Sequence, residues 1–420
     1  MSKYDKASLV MIPSGYKAEK LYSVLPVNGD GDFTHDRNLG TATRVNKDGL
    51  IETVAADKPR LDYPIVDGVV QDCPALLLEP AATQLIQYSE AFDNGYWTKG
   101  NSTVTANDAI SPDGTQNADL LDLSAAGGNI YRSISTTNDH SFSIFAKYVD
   151  AQYIRLRLTG AYAYFDIKNG TIGTLTNADS AKIEDYGNGW FRCTVIDDNA
   201  NTIAQVFVSD TDGSNTGTGS VHLYGAQLEA GSYPTSYIPT SGSSVTRNAD
   251  VCNSAGTAAE FNNSEGVLYG DISRLGTPDS SEWWLISIND NTNQNVVAIG
   301  FNQSDGNLYG RLKAYNSSQF ENTSTSSVTG QSHKLAIRYS SNEAAFFIDG
   351  FKKVTISNPT AFTGTLQRLD FNFGGGTSPF YSKSKELAVF KEALTDSELE
   401  SLTSWDSFNE MATRQEYTIR

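Results

Sequence analysis

"AAFFIDGFKKVTI", residues 344–356, reads as two short strands meeting at a two-residue bend. In extended chain Ala344, Phe346 and Ile348 share one face and Val354 and Ile356 return beside them. Asp349-Gly350 supplies the positive φ angles that a tight hairpin turn requires. The same device recurs through most of the chain and points to an all-β protein.

Strand signals are dense from about residue 81 to residue 250. "SFSIFAKYV" (141–149) and "YIRLRLT" (153–159) read as strands, with Ile154, Leu156 and Leu158 pointing one way and Arg155, Arg157 and Thr159 the other. "YFDIKNGTIGTL" (164–175) predicts a hairpin on Asn169-Gly170, and "AKIEDYGNGWFRCTVID" (181–197) predicts another around Gly187-Asn188-Gly189. Many short antiparallel strands with no helices between them imply a β-sandwich or jelly roll. "PTSYIPTSGSSVTRNAD" (234–250) reads as a low-complexity link, after which the pattern resumes with "EWWLISIND" (282–290), "NVVAIGFN" (295–302) and "HKLAIRYS" (333–340).

One helix is convincing, in "TDSELESLTSW" (395–405): Thr395 is an N-cap with Glu398 three residues on, and Leu399 and Leu402 form an apolar stripe. Residues 1–80 mix short apolar runs with Pro and Gly. They cannot bury a core alone, and read as an irregular anchoring arm that packs on other domains or subunits. The expected division is therefore an arm (1–80), two tandem antiparallel β-sandwich domains (81–250 and 251–405) and a polar tail (406–420).

Composition narrows the function. Of 420 residues 39% are hydrophobic and 35 are glycine, and Asn, Ser, Thr and Asp dominate the polar remainder, which suits sheets joined by many turns. A net charge of −18 with no basic stripe argues against a nucleic-acid partner. Cys73, Cys193 and Cys252 make neither a disulfide framework nor a metal knuckle, and fit folding in a reducing cytosol. "MSKYDKASLVMIPSGYK" lacks a signal-peptide core, and no apolar run reaches the ~20 residues of a membrane span.

Two resemblances follow from particular motifs. "AAFFIDGFKKVTI" and "ELAVFKEALTDSELESLT" resemble the concanavalin A-like, laminin-G-like jelly rolls over about residues 258–405. "LIQYSEAFDNGYWTK", "SPDGTQNADLL", "EDYGNGWFRCTV" and "VHLYGAQLEAGSYPTSYIPTSGSSVTRNAD" resemble the carbohydrate-binding-module-like jelly rolls of tailed-bacteriophage structural proteins, and "TATRVNKDGLIETVAADKPRLDY" with "CPALLLEP" resembles their lead-in. The resemblance implies a fibre- or spike-type virion protein, folded in the host cytoplasm and exposed on the particle surface. It implies a homotrimer attached to capsid or tail through the arm, with host-surface polysaccharide as the contact. A purely architectural capsid decoration and a glycan depolymerase are the alternatives.

Glycoside hydrolysis needs two carboxylates aimed at one bond. "HKLAIRYS" and "NVVAIGFN" carry none, Asp349 sits in a turn and Asp370 is alone, so no catalytic residue is assigned. His35, His140, His222 and His333 are scattered and suggest neither zinc nor a Ser-His-Asp arrangement. Sugar contact calls for aromatic faces, and the candidates are Tyr96, Trp97, Tyr162, Tyr164, Trp283 and Trp284. Tyr162 and Tyr164, two apart, share a face, whereas Trp283 and Trp284 point to opposite faces, one of them into the core. Trp190 is assigned to the core. No cofactor is expected. Structural Ca²⁺ would use oxygen-rich loops at Asp113, Asp210, Asp212 and Asp290, and Asp119 shares the first of these, but none has EF-hand spacing.

Overall fold

The computed structural model describes residues 4–405 apart from 14–15, 18–19, 39–41, 216, 277–281, 304, 326 and 328; the expected tail (406–420) lies outside the described residues. The chain is all-β, built from antiparallel sheets, with one short helix among the described residues.

Two six-stranded sheets form one sandwich. The first runs Thr98–Gly100, Asn129–Ser133, Ile203–Ser209, Tyr153–Leu158, Ala161–Asp166, Thr171–Thr176. The second runs Ser102–Ile110, Gln116–Leu123, Gly219–Ala230, His140–Tyr148, Trp190–Asp197, Ser180–Asp185. Alternation decides which side chains are buried between them. Ile154, Leu156 and Leu158 of one sheet meet Phe142, Ile144, Val195 and Leu223 of the other.

The other sandwich pairs an eight-stranded sheet with the five-stranded sheet that contains Trp284–Asn289 and Val296–Phe301. Its hairpin, Glu343–Ile348 and Phe351–Ser357, turns on Asp349 and Gly350 at φ 47° and 84°, and the Asp349 carboxylate also accepts from the Lys334 N–H at 2.9 Å. Both faces of "AAFFI" are covered. Ala344, Phe346 and Ile348 enter the main core, while Ala345 and Phe347 lie under the helix Asp396–Thr403 with its Leu399 and Leu402. The capping box at Thr395 and Glu398 is formed as the sequence indicates.

Residues 1–80 differ from the irregular segment expected. Ala7–Met11 pairs with Lys383–Phe390, and Ala75–Leu77 pairs with both Lys383–Phe390 and Arg60–Asp62, so three early strands complete the eight-stranded sheet. Lys383–Phe390, which anchors Ala7–Met11 and Ala75–Leu77, lies more than three hundred residues on, beyond the reach of local patterning. Residues 234–250 likewise do not form a loose link: Tyr237 and Ile238 are buried and Val245–Arg247 pairs with Ala82–Gln84. The Asn169-Gly170 hairpin is also longer than a two-residue turn. The strands stop at Asp166 and restart at Thr171, because the Asp166 carboxylate accepts the N–H groups of Lys168 and Asn169 and leaves only Gly170 at positive φ.

The chain thus enters and leaves the first-described sandwich at one point, where a buried ionic cluster closes the gap. Arg60 donates to Glu79 at 2.5 Å and to Asp250; Arg37 reaches Asp250 at 3.0 Å, and Arg247 reaches Glu79 at 3.0 Å. The backbones exchange contacts as well: the Glu79 N–H donates to the Asp250 carboxylate at 2.9 Å and the Asp250 N–H to the Glu79 carbonyl at 3.0 Å. Burial alone would lift the Glu79 carboxyl, but Arg247, Arg60 and the Ser236 hydroxyl hold it at about 2. Asp250 is driven well below the ordinary carboxylate range, burial being outweighed by Arg60 and His35.

Removing one partner strands a buried charge, which costs about 3–5 kcal/mol. Asp250→Asn is expected to lower unfolding free energy by that amount in urea titration. Because Glu79 is depressed from 4.5 to about 2, its contribution is complete above pH 4.5 and is lost as pH falls toward 2. Stability measured against pH is expected to decline over that window, less steeply in Glu79→Gln.

Candidate functional site

The strand Tyr153–Leu158 buries its even-numbered residues and turns Tyr153, Arg155 and Arg157 to the outer face of its sheet. Registration sets their neighbours. Arg155 stands between Tyr164 and Phe207, and Arg157 between Tyr162 and Gln205. The next strand adds Tyr131 opposite Gln205 and Asn129 opposite Phe207.

Aromatic rings enclose the Arg155 guanidinium, whose carbon lies 3.7 Å from the Phe207 ring centre, 5.0 Å from Tyr162 and 5.7 Å from Tyr164. Tyr162 and Tyr164 meet edge to face at 6.0 Å. A polar relay crosses three strands beside them: Arg157 donates to the Gln205 carbonyl oxygen at 3.2 Å, and the Gln205 amide donates to Asn129 at 2.9 Å. Tyr164 is buried and its hydroxyl donates to Asn215 at 2.6 Å, whereas Tyr162, Arg157, Asn129 and Tyr131 remain half-buried. The outcome is a shallow strip of ring edge, guanidinium and amide, the groups that contact a sugar's C–H face and hydroxyls. Of the six aromatic candidates, the structure brings Tyr162 and Tyr164 together here.

The others lie elsewhere. Trp97 is buried against Phe92, its indole N–H donating to the Tyr88 carbonyl at 2.9 Å, and no ring face is left for a ligand. Trp284 is buried in the main core of the other sandwich. Trp283 points the opposite way and rests half-buried on Tyr309 at 4.4 Å. Tyr96 is half-buried beneath the Arg132 guanidinium at 4.1 Å.

The four acidic loop candidates are not brought together. Asp113 accepts from Ser111, Thr115, Asn117 and Tyr224; Asp212 accepts from Thr174; Asp290 accepts from Thr292 and Asn295; Asp210 accepts weakly from Thr218. Their oxygens are engaged by turns at Asp113 and Asp290 and by Thr174 at Asp212. Among the described residues, three carboxylates converge within 4.8 Å only at Asp179, Asp197 and Asp198, a grouping that no local motif announces.

A second concavity, about 240 Å³, bears on the question of catalysis. Thr43, Ile51 and Glu52 form one wall and Glu90, Asp113, Tyr224 and Tyr237 the other. Burial, reinforced by the Asp113 charge, raises the Glu90 carboxyl. Asp113 stays low, since hydrogen bonds led by Thr115 outweigh its burial. Such a split is what an acid and a nucleophile need. However, the Tyr224 hydroxyl sits between them, 3.3 Å from Glu90 and 3.1 Å from Asp113, where a scissile oxygen would have to go. Tyr224 is buried and fixed by Phe145 and Tyr237. The pair is bridged from within, the Tyr224 and Tyr237 hydroxyls both donating to the Glu90 carboxylate.

No family model matches this chain, and no curated protein matches it. Solved structures with partial likeness include the Ruminococcus gnavus IT-sialidase CBM40 bound to α2,3-sialyllactose, at 17% identity, covering 34% of this chain and 84% of that one, TM-score 0.30. Domain 4 of AbnA, a GH43 extracellular arabinanase from Geobacillus stearothermophilus, in complex with arabinotriose, matches at 17% identity over 37% of this chain and 73% of that one, TM-score 0.31. The native heptameric SAP-like pentraxin from Limulus polyphemus matches at 20% over 34% and 71%, TM-score 0.27. Likeness at this distance assigns no ligand to the chain.

Two substitutions check these placements. Glu90 is raised in the folded state, so its contribution is present below its ordinary value of 4.5 and is lost as pH rises through the folded value. Glu90→Gln is therefore expected to raise the melting temperature at pH 7 and to confer no gain below about pH 4. Trp97→Ala, which empties a core position, is expected to cost about 3–5 kcal/mol in stability.

Proposed function

We propose that this chain is a non-catalytic glycan-binding protein that makes its contact through the outer face formed by Arg155, Arg157, Tyr162, Gln205, Phe207 and Asn129. The observation that carries the reading is the outer strip itself, half-buried at Tyr162, Arg157 and Asn129 over buried Arg155, Gln205 and Phe207. Half-buried aromatic edge, guanidinium and amide stand side by side on a rigid sheet, in an arrangement no folding requirement demands of an outer face. The filled gap between Glu90 and Asp113 favours binding over hydrolysis. The carbohydrate ligands named for two of the partial structural likenesses are compatible with this reading, and its weight rests on the residues.

The setting we propose is a tailed-phage virion appendage, on the sequence resemblance alone. In it the chain is a homotrimer fixed to other virion proteins through residues 1–80. The outer surface of these residues would have to make that attachment, since their inner strands are committed to the eight-stranded sheet.

The test is a printed array of neutral and acidic oligosaccharides probed with the full chain. Tyr162→Ala is expected to weaken retention about tenfold, equivalent to ~1.4 kcal/mol, with thermal unfolding little changed. Tyr315→Ala, an exposed ring on the other sandwich, should leave retention intact. Retention that ignores Tyr162→Ala would remove this face from consideration.

A further inference from the structure

Resting on the reading of that face as the glycan contact, we infer that the saccharide it takes is acidic, carrying a carboxylate or sulfate that pairs with Arg157 beside the buried charge of Arg155. The chain has 49 acidic residues against 31 Lys and Arg, so a guanidinium has many carboxylates to choose from. Arg37, Arg60, Arg247, Arg338 and Arg368 all have one. Arg155 and Arg157 have none among the described residues, as Arg132 and Arg192 have none, but Arg155 and Arg157 are neighbours on one face.

Arg155 is the more telling of the two. It is 5% exposed, and its Nε has no hydrogen-bond partner. Burying a cation without a counter-charge is costly. Stacking on Phe207 and Tyr162 offsets part of that cost while holding the guanidinium in one orientation. Arg157 contacts only neutral oxygens, the Thr159 carbonyl and Gln205. The half-buried Arg157 guanidinium is suited to an oxyanion, which accepts paired N–H bonds, and the Arg155 charge fixed under the rings beside it adds attraction. Adjacent half-buried Tyr162 and the Gln205–Asn129 relay would meet the ring and hydroxyls of the same sugar.

The acids nearest the face lie toward its Tyr153 end and are otherwise engaged. Asp166, opposite Tyr153, accepts from Gln152, Lys168 and Asn169, and Asp212 accepts from Thr174. Their charge excludes an anion from that end and directs it toward Arg157.

The same array, followed by calorimetry, decides the matter. The charged probes are trigalacturonate and 3′-sulfolactose, and the neutral ones are galactotriose and lactose. Acidic members should be retained and neutral ones not. Arg157→Gln should reduce affinity at least about tenfold and Arg157→Lys less, with binding weakening as sodium chloride rises from about 0.05 to about 0.5 M. The uronate and sulfate arms show which oxyanion is preferred. Retention of neutral members as strong as that of acidic ones, or indifference to Arg157→Gln, overturns this inference while leaving the face as the glycan contact, provided Tyr162→Ala still weakens binding. No retention of any member, or retention indifferent to Tyr162→Ala, overturns both.

Discussion

Three guanidinium groups and two carboxylates, entirely out of water, hold this molecule together: Arg37, Arg60 and Arg247 around Glu79 and Asp250. Each ion costs several kcal/mol to desolvate, so the cluster is tolerable only when all its members are present. They come from distant parts of the chain. Glu79 and Asp250 bound the inserted sandwich, Arg37 and Arg60 come from the segment before it, and Ser236 and Arg247 from its last stretch. The cluster therefore assembles only when both ends of the insertion meet. Glu229 extends it one step further, through Thr235, which donates to Glu229 at 2.6 Å and accepts from Arg247 at 3.1 Å. Such a closure specifies one arrangement of the two sandwiches in a way that apolar contact, being non-directional, would not.

The insertion, fixed at its ends, carries half-buried Arg157, Tyr162 and Asn129 on its outer sheet face. The contrast with the cavity at Glu90 is instructive. There both carboxylates are engaged internally, by two tyrosine hydroxyls, an asparagine amide and a tight turn. On the sheet face the reverse holds, with cations and amides ordered by stacking and by one another but still short of an anionic partner. Preorganisation of this kind lowers the entropy cost of capture, because the side chains are already in place before a ligand arrives.

The features readable in the sequence are those written locally. Alternation in "YIRLRLT" separates core from face, Asp349-Gly350 dictates its turn, and Thr395 with Glu398 caps the helix. Sandwich architecture follows from repeating such signals. What stayed hidden depends on partners remote in sequence. Ala7–Met11 carries too few residues to announce a strand and acquires its role only beside Lys383–Phe390. Residues 234–250 look like a link by composition, yet their Ser, Thr and Arg side chains are among the donors of the buried cluster. Trp97 and Trp284 show why aromatic residues mislead: a ring suited to a sugar is equally suited to a core, and only the strand's facing decides. For Tyr162 the alternation with Ile154 and Leu156 across the pair already held that information.

A site on an open sheet face has consequences for strength. A glycan held there as proposed would be little enclosed, each contact would be weak, and affinity would have to come from repetition. Linking weak sites raises avidity by roughly 10²–10⁴ when geometry lets them engage together. That condition falls on the clamp as much as on the face. If the two sandwiches swung freely, each copy's face would point differently and the gain would be lost to disorder. A rigid ionic closure between Glu79 and Asp250 keeps the face at a fixed angle to the rest of the chain. Copies held in register by the remaining domains would then present parallel faces to a surface, and adhesion would depend on a buried charge cluster that never touches the sugar.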